Sequence, residues 1–332
     1  MILSRTPLRM SFVGGGTDLP AFYREEQGVV VSTAISKYIY VSANPKFDGG
    51  IRLAYSKTEE VDHLQKIQHR LFRATFEVLG VGGGIEVTTT ADIPSKGTGL
   101  GSSSSFTVGV LNVMAAYLKR PSCPQWLAET ACQIEIEHCG EPIGKQDQYA
   151  AAFGGLNVFR FNPDGTVEVC PINIPENAER NLQERILILY TGSNRSASAI
   201  LKDQADRTTN QRSVRLNLRR MAKLAEDLRE GLERGDLSSF GGILEENWSL
   251  KKQLSGGIST SAIDEWHDAA IAAGAEGGKL LGAGAGGFLM FYADPERHEA
   301  IVKAVGLRRI DVSFDKTGSQ IIFPNPIQNH SA

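Results

Sequence analysis

The stretch Pro94-Ser-Lys-Gly-Thr-Gly-Leu-Gly-Ser-Ser-Ser-Ser105, leading at once into the apolar run Phe106 to Leu118, constrains this chain more than any other. Glycines at 97, 99 and 101 remove side chains where backbone N–H groups must face a ligand. Ser102 to Ser105 fall at the start of the ensuing helix. There, N–H groups lack intrahelical partners and the positive end of the macrodipole is concentrated. Loop plus helix start makes an anion site suited to a di- or triphosphate. A serine hydroxyl in that first turn can also ligate a magnesium ion. The competing reading is a flexible turn capped by a serine; one serine would satisfy it, and four are present. Lys96 serves equally well as a phosphate contact or as a solvated side chain.

Two other nucleotide motifs are excluded. No G-x-x-x-x-G-K-[ST] occurs, so the loop is not a P-loop. Gly282-Ala-Gly-Ala-Gly-Gly287 satisfies G-x-G-x-x-G, but it runs into GFLMFYA, which reads as a strand. A dinucleotide fingerprint needs a helix there.

The chain has 332 residues, which at about 150 residues per domain gives two domains. Its 35 basic and 38 acidic residues are nearly balanced, whereas a nucleic-acid binder carries a basic excess. The four cysteines form no C-x-x-C pair, and the histidines show no metal-ligand spacing. Cys132 and Cys139, seven apart, read as core positions. Residues 1–10 carry two arginines and no long apolar core, so no signal peptide is expected, and no apolar run approaches the length that spans a membrane. Cytoplasm is the expected location, and monomer and homodimer both stay open.

Strands are expected at 8–13, at 28–43 (two strands or one bent one), and at 85–91, 155–161, 166–172, 184–192, 287–293 and 310–315. Helices are expected at 61–79, 106–118, 125–139, 208–235, 237–254 and 261–273. Strands early, helices late and both mixed in each half describe an α+β protein. The texture changes near 175–182, which divides the chain into 1–178 and 179–332.

The loop with its Pro94 and GTGLGSSSS resembles the phosphate loop of the GHMP kinases, the family of galactokinase, homoserine kinase, mevalonate kinase and phosphomevalonate kinase. RTPLRMSFVGGGTDLPAF at 5–22 is similar to that family's sugar-kinase signature, and GGKLLGAGAGGFLMF at 277–291 to its third, glycine-rich motif. The first motif is most similar to a bacterial subgroup whose members are D-glycero-D-manno-heptose 7-phosphate kinases. The resemblance implies a two-domain α+β fold with the active site in the cleft between domains. The N-terminal domain would be α/β (ribosomal protein S5 domain 2-like) and the C-terminal domain ferredoxin-like α+β. It also implies ATP and Mg²⁺ as cofactors, and a small-molecule sugar or sugar phosphate as the partner. A kinase for fucose, galactose or mevalonate and a non-catalytic sugar sensor are the alternatives within the fold.

Carried over residue by residue, the resemblance makes Lys96, Gly97, Thr98, Gly99, Leu100, Gly101, Ser102, Ser103 and Ser104 the phosphate cradle. Asp147, in G-K-Q-D-Q-Y, becomes the catalytic aspartate, with an N-cap for a helix at 148–153 as the other reading. Glu135 becomes the magnesium carboxylate with Ser103, and Glu137 is its rival. Arg9 stands near the acceptor oxygen, Gly16, Thr17 and Asp18 in the sugar pocket, and Gly284 and Gly286 in a loop that closes the cleft. Arg195, Lys251 and Lys279 are the candidates for a phosphate on the acceptor.

Overall fold

The computed structural model describes residues 1–93, 99–192 and 198–323. Its strands are β1 (Ile2–Val13), β2 (Gly28–Pro45), β3 (Ile51–Ala54), β4 (Thr58–Val61), β5 (Ile85–Ala91), β6 (Leu156–Phe161), β7 (Val167–Pro171), β8 (Ile186–Tyr190), β9 (Ala275–Leu280), β10 (Phe288–Ala293), β11 (Arg308–Arg309) and β12 (Gln320–Phe323). Its helices are α1 (Pro20–Tyr23), α2 (Arg70–Leu79), α3 (Ser102–Tyr117), α4 (Pro124–Cys132), α5 (Gln146–Phe153), α6 (Glu176–Arg185), α7 (Ser198–Asn210), α8 (Arg212–Arg234), α9 (Phe240–Lys252), α10 (Ser261–Ala272) and α11 (His298–Val305).

Two sheets organise the chain. The first runs β12-β1-β2-β5-β3-β4, with β6 also paired to β2 and β7 to β6. Among the described residues only β3 and β5 pair in parallel; the other pairings are antiparallel. The second sheet is β11-β8-β10-β9, antiparallel throughout. The stretch 28–43 is one strand of 18 residues. It is buried on both faces over Gly28–Ile35, where β1 and β6 flank it, and alternates only beyond. Continuous apolar sequence giving way to alternation reflects that change from a two-sided to a one-sided environment.

Phe12, at the end of β1, joins the two halves. Its ring meets Phe240 of α9 edge-on at 5.3 Å, and Phe240 in turn meets Tyr292 of β10 at 4.7 Å. Aromatic pairs of this geometry contribute about 0.5–1.5 kcal/mol beyond their area. The end of β1, and with it Arg9, is therefore held from both sheets.

Several expectations are corrected. Residues 310–315 form no strand: β11 stops at Arg309, and Phe314 makes a single bridge to Ile35 of the first sheet. The helix expected over 61–79 starts only at Arg70, after a 3₁₀ turn at Leu64–Lys66, because His69 caps it by accepting from the Phe72 N–H at 3.4 Å. The helix expected from 208 begins at Arg212, since Gln211 is extended and separates it from α7. The helix expected over 125–139 is α-helical to Cys132 and then widens into a π-helix over Gln133–His138. Strands β3, β4, β9 and β12 and helix α7 lie outside the expected elements. β12 returns from the far end of the described chain to pair with β1, so a cut at residue 178 does not keep each sheet within one contiguous segment. Among the described residues, Cys132 and Cys139 are buried free thiols, and no helix is long and apolar enough to cross a membrane.

Candidate active site

The glycine-rich loop enters the described structure at Gly99. Gly99 and Gly101 take φ of 75° and 74°, a conformation that L side chains rarely adopt. Space excludes a side chain at Gly99, where a Cβ would lie 2.2 Å from the Leu281 carbonyl oxygen, and is tight at Gly101, where one would lie 3.1 Å from Arg9 Cγ. α3 then begins at Ser102 with no side chain capping it, its first backbone bond running from Ser105 N–H to the Gly101 carbonyl at 2.9 Å. Ser102, Ser103 and Ser104 thus bring the positive end of a 16-residue helix to the cleft wall. Lys96, Gly97 and Thr98 lie outside the described residues, as does Arg195.

Arg9 is 4% exposed and reaches Asp147 through two parallel hydrogen bonds, from Nε to Oδ1 and from Nη2 to Oδ2, each 2.8 Å. Its Nη1 donates to the Gly99 carbonyl at 2.6 Å, and its backbone N–H to the Leu100 carbonyl at 3.0 Å. β1 is thereby tied to the loop, and a fork-to-fork contact fixes the plane of the Asp147 carboxylate. Asp147 lies in the first turn of α5 and caps nothing by its side chain; the cap position is Lys145.

Glu135 is fully buried on the π-helical segment and accepts from Ser104 Oγ at 2.7 Å, Thr107 Oγ1 at 2.9 Å, Ser103 Oγ at 3.2 Å and Gln148 Nε2. All four partners are neutral. Burial pushes its carboxyl above the ordinary value, and the four hydrogen bonds pull the other way. Ser103, the exposed member of the serine run, lines the cleft. Neither glutamate itself lines the cleft; Glu135 touches it through Ser103 and Ser104, whereas Glu137 is exposed. No spacing in the chain marks Thr107 and Gln148 as partners of this carboxylate.

Asp18 lines the cleft beside the start of α5, 3% exposed, accepting from the Gly16 N–H at 2.8 Å and the Gln146 N–H at 3.4 Å. Burial, reinforced by the nearby Asp147 charge, raises its carboxyl above the usual value against those two bonds. Gly144 passes so close that a Cβ there would fall 1.9 Å from Asp18 Oδ2. Thr17 does not share this role. It is fully buried and off the cleft, with its hydroxyl bound to the Gly14 and Val29 carbonyls at 2.8 and 3.1 Å and accepting from the Val29 N–H. It stitches the triple-glycine turn to β2, with its one proton committed to the backbone.

The two lysines divide. Lys279 lines the cleft as well, but its Nζ donates to the Ser11 and Phe12 carbonyls at 2.9 and 2.8 Å and ties the end of β1. Burial, then Lys251 and Arg9, push its pKa well down. Lys251, on α9, is 6% exposed, lines the cleft and donates to the Gly282 carbonyl. Burial, then the Arg9 charge, bring it down to about 8, opposed by Asp18 and Asp147.

The third glycine-rich motif meets the phosphate loop at Leu281–Gly282, where a Cβ on Gly282 would lie 2.3 Å from Gly99 Cα. Gly282 and Ala283 line the cleft; Gly284 and Gly286 do not. Gly284 instead packs on the backbone of Ile258. The contact expected of Gly284 and Gly286 therefore falls at Gly282.

Arg9, Asp18, Ser103, Asp147 and Lys251 share one cleft of about 1040 Å³, and Glu135 lies behind its wall, reached through Ser103 and Ser104. Its far end, beyond the helix start, is walled by Ile39, Tyr55, His69, Thr89, Ile93 and Phe106. Tyr55, His69 and Phe106 are linked by ring contacts at 4.6 and 5.1 Å. Sequence reasoning missed this aromatic end, because its members come from separate parts of the chain with no shared spacing.

Comparison with known proteins agrees with this arrangement. Residues 64–155 match the GHMP kinases N terminal domain, and residues 228–308 the GHMP kinases C terminal model. The chain is 32% identical to the D-glycero-alpha-D-manno-heptose 7-phosphate kinase of Campylobacter jejuni, over 96% of this chain and 97% of that one. It superposes on the crystal structure of a D-glycero-D-manno-heptose 1-phosphate kinase from Bacteroides thetaiotaomicron with a TM-score of 0.78 and 25% identity, covering 96% of this chain and 98% of the other. A putative sugar kinase from Campylobacter jejuni gives 0.76 and 28%, covering 96% and 97%. With both family models in order and whole-length similarity to a named kinase, the chain belongs to the two-domain GHMP kinases and is a phosphotransferase with an alcohol group as acceptor.

Proposed function

We propose that this enzyme uses ATP and Mg²⁺ to phosphorylate the anomeric hydroxyl of a sugar, D-glycero-D-manno-heptose 7-phosphate, to give the 1,7-bisphosphate. The observation that carries the reading is the Arg9–Asp147 pair, locked to the phosphate loop through Gly99 and standing in one cleft with Asp18.

Asp147, at 26% exposure, is the accessible member of that pair. It takes the proton of the acceptor hydroxyl, a contribution of about 10²–10⁴-fold in rate. Arg9 orients the carboxylate and supplies positive charge where negative charge develops. The amides of residues 99–104 and the start of α3 hold the polyphosphate. The aromatic and aliphatic far end of the cleft suits a nucleobase. Asp18 accepts from hydroxyls of the sugar.

The Glu135 group fits Mg²⁺. A buried carboxylate among neutral hydroxyl and amide donors has no countercharge among its hydrogen-bond partners, and oxygen ligands suit a hard cation. Glu135 and Ser103 would hold it. When bound, the ion neutralises charge on the phosphate oxygens. The heptose acceptor is supported by the 5–22 signature and by the 32% identity to a heptose 7-phosphate kinase.

A coupled assay for ADP release over a panel of sugars, sugar phosphates and mevalonate tests this. The expected result is a kcat/KM for the heptose 7-phosphate at least about tenfold above any other acceptor, consistent with discrimination by a hydrogen-bonding site. A higher kcat/KM for galactose, fucose or mevalonate overturns the acceptor assignment.

A further inference from the structure

Gln204 lines the cleft from α7, is 1% exposed, and its Nε2 has no hydrogen-bond partner among the described residues. A buried donor left unpaired destabilises the fold that buries it. Such a group in a cleft wall is accounted for when something arriving in the cleft pairs with it. The donor rests against the triple-glycine turn: a Cβ on Gly16 would come 2.4 Å from Nε2. The Gly16 N–H is held by Asp18, so the amide and the carboxylate converge on one residue.

Two more residues lining the cleft hold buried polar atoms without a partner, Gln146 at Oε1 and Ser11 at Oγ. Both side chains approach Gly15, where a Cβ would lie 3.7 Å from Gln146 Nε2 and 3.8 Å from Ser11 Oγ. Gln146 immediately precedes Asp147. An unpaired amide donor, an unpaired amide acceptor and a hydroxyl thus surround Gly15-Gly16 beside a carboxylate. A row of adjacent hydroxyls, each giving one hydrogen bond and accepting another, complements that set. An anion would leave the acceptor atoms unmatched.

Resting on the sugar-kinase reading, we propose that Gln204 is a specificity-determining residue: its Nε2 donates to one hydroxyl of the acceptor polyol while Gln146 Oε1 accepts from a neighbouring one. Helix α7 then forms the wall of the site that reads the sugar, and the acceptor is recognised across both halves of the chain.

The test replaces Gln204→Met, which keeps the length of the side chain and removes its polar atoms. Without ligand, the thermal midpoint should stay level or rise, because an unsatisfied buried group has been removed. The KM for the acceptor should rise about tenfold, as expected for one lost hydrogen bond, with the KM for ATP unchanged within about twofold. Acceptors deoxygenated one position at a time should include one that wild type and variant use equally well. An unchanged acceptor KM, or a KM for ATP that rises equally, overturns the proposal. A merely structural role predicts a lowered midpoint in the unliganded protein, and that result also counts against it. Wild-type protein that turns over no panel member refutes the sugar-kinase reading. Calorimetry with the same polyols then decides the inference alone: binding weakened in the variant upholds it, and no binding by wild type overturns it.

Discussion

Arg9 holds Asp147 by two parallel hydrogen bonds of 2.8 Å, and the same guanidinium donates to the carbonyl of Gly99. One side chain therefore ties the Asp147 carboxylate to the glycine-rich loop. Removing the charge of the carboxylate should separate chemistry from nucleotide binding. Asp147→Asn is expected to lower kcat by at least about 100-fold and leave the ATP dissociation constant within about threefold, measured by steady-state kinetics and calorimetric titration. Near-normal turnover would remove Asp147 from the mechanism.

Arg9→Lys keeps the charge and loses the fork. A lysine cannot reproduce two parallel bonds to Asp147 and a third to Gly99. Turnover should drop about 10–100-fold while the acceptor KM moves less; the magnitude comes from losing one or two charge-assisted hydrogen bonds of about 1.5–3 kcal/mol each. A lysine variant with wild-type kcat would show that position, not geometry, is what matters there.

Gly101→Ala places a Cβ at a φ of 74°, 3.1 Å from Arg9 Cγ and 3.4 Å from Asp147 Oδ2. The backbone conformation alone costs about 1–2 kcal/mol, so the thermal midpoint should fall. Because the added methyl presses on the catalytic pair, kcat should fall as well. A lowered midpoint with unaltered kcat would mean that the pair tolerates displacement.

The two glutamates two residues apart give a paired test. Glu135→Gln should raise the Mg²⁺ concentration for half-maximal activity at least about tenfold, as expected when a metal site loses its charged ligand; Glu137→Gln should leave it unchanged. Stability should move the other way. A carboxyl raised above its unfolded value by burial lowers stability progressively as pH rises past that unfolded value. The neutral amide of the E135Q variant avoids that cost, so in metal-free buffer at pH 7 this variant should melt higher than wild type. Equal Mg²⁺ dependence in both variants would dismiss Glu135 as a ligand.

Lys251 titrates near 8 in the fold against 10.5 as its ordinary value. Below pH 8 it is charged in both folded and unfolded chains, and the burial cost is borne in full. Between pH 8 and 10.5 the folded lysine is neutral while the unfolded one still carries its proton, so this residue's contribution to stability rises with pH. Lys251→Met should therefore stabilise the unliganded protein by about 1–3 kcal/mol at pH 7, with the gain shrinking toward pH 10.5 in denaturant titrations. A gain that grows with pH would contradict this assignment.

The glycine loop is legible in the chain because an anion-binding backbone needs contiguous residues, while Arg9, Glu135 and Asp147 are singled out only by the motifs they sit in, and their roles are proposals. Side-chain partnerships across long separations are not. Thr17 belongs to the same motif as Asp18, yet its hydroxyl is consumed by Gly14 and Val29. Lys279 looks like an anion ligand until its Nζ is seen on the carbonyls of Ser11 and Phe12. Gln204 carries no signal, because α7 shows weak periodicity and its relevance depends on Gly16, far away in sequence. The false strand at 310–315 alternates correctly, but its neighbours offer only one bridge, at Phe314.

The back-to-back approach of Gly99 and Gly282, with no room for a methyl group on either, couples two parts of the molecule that lie 183 positions apart in numbering. Any side chain at either position would have to push the two loops apart. The seam between the loop that enters α3 and the β9–β10 connection therefore stays shut only while both positions remain bare backbone.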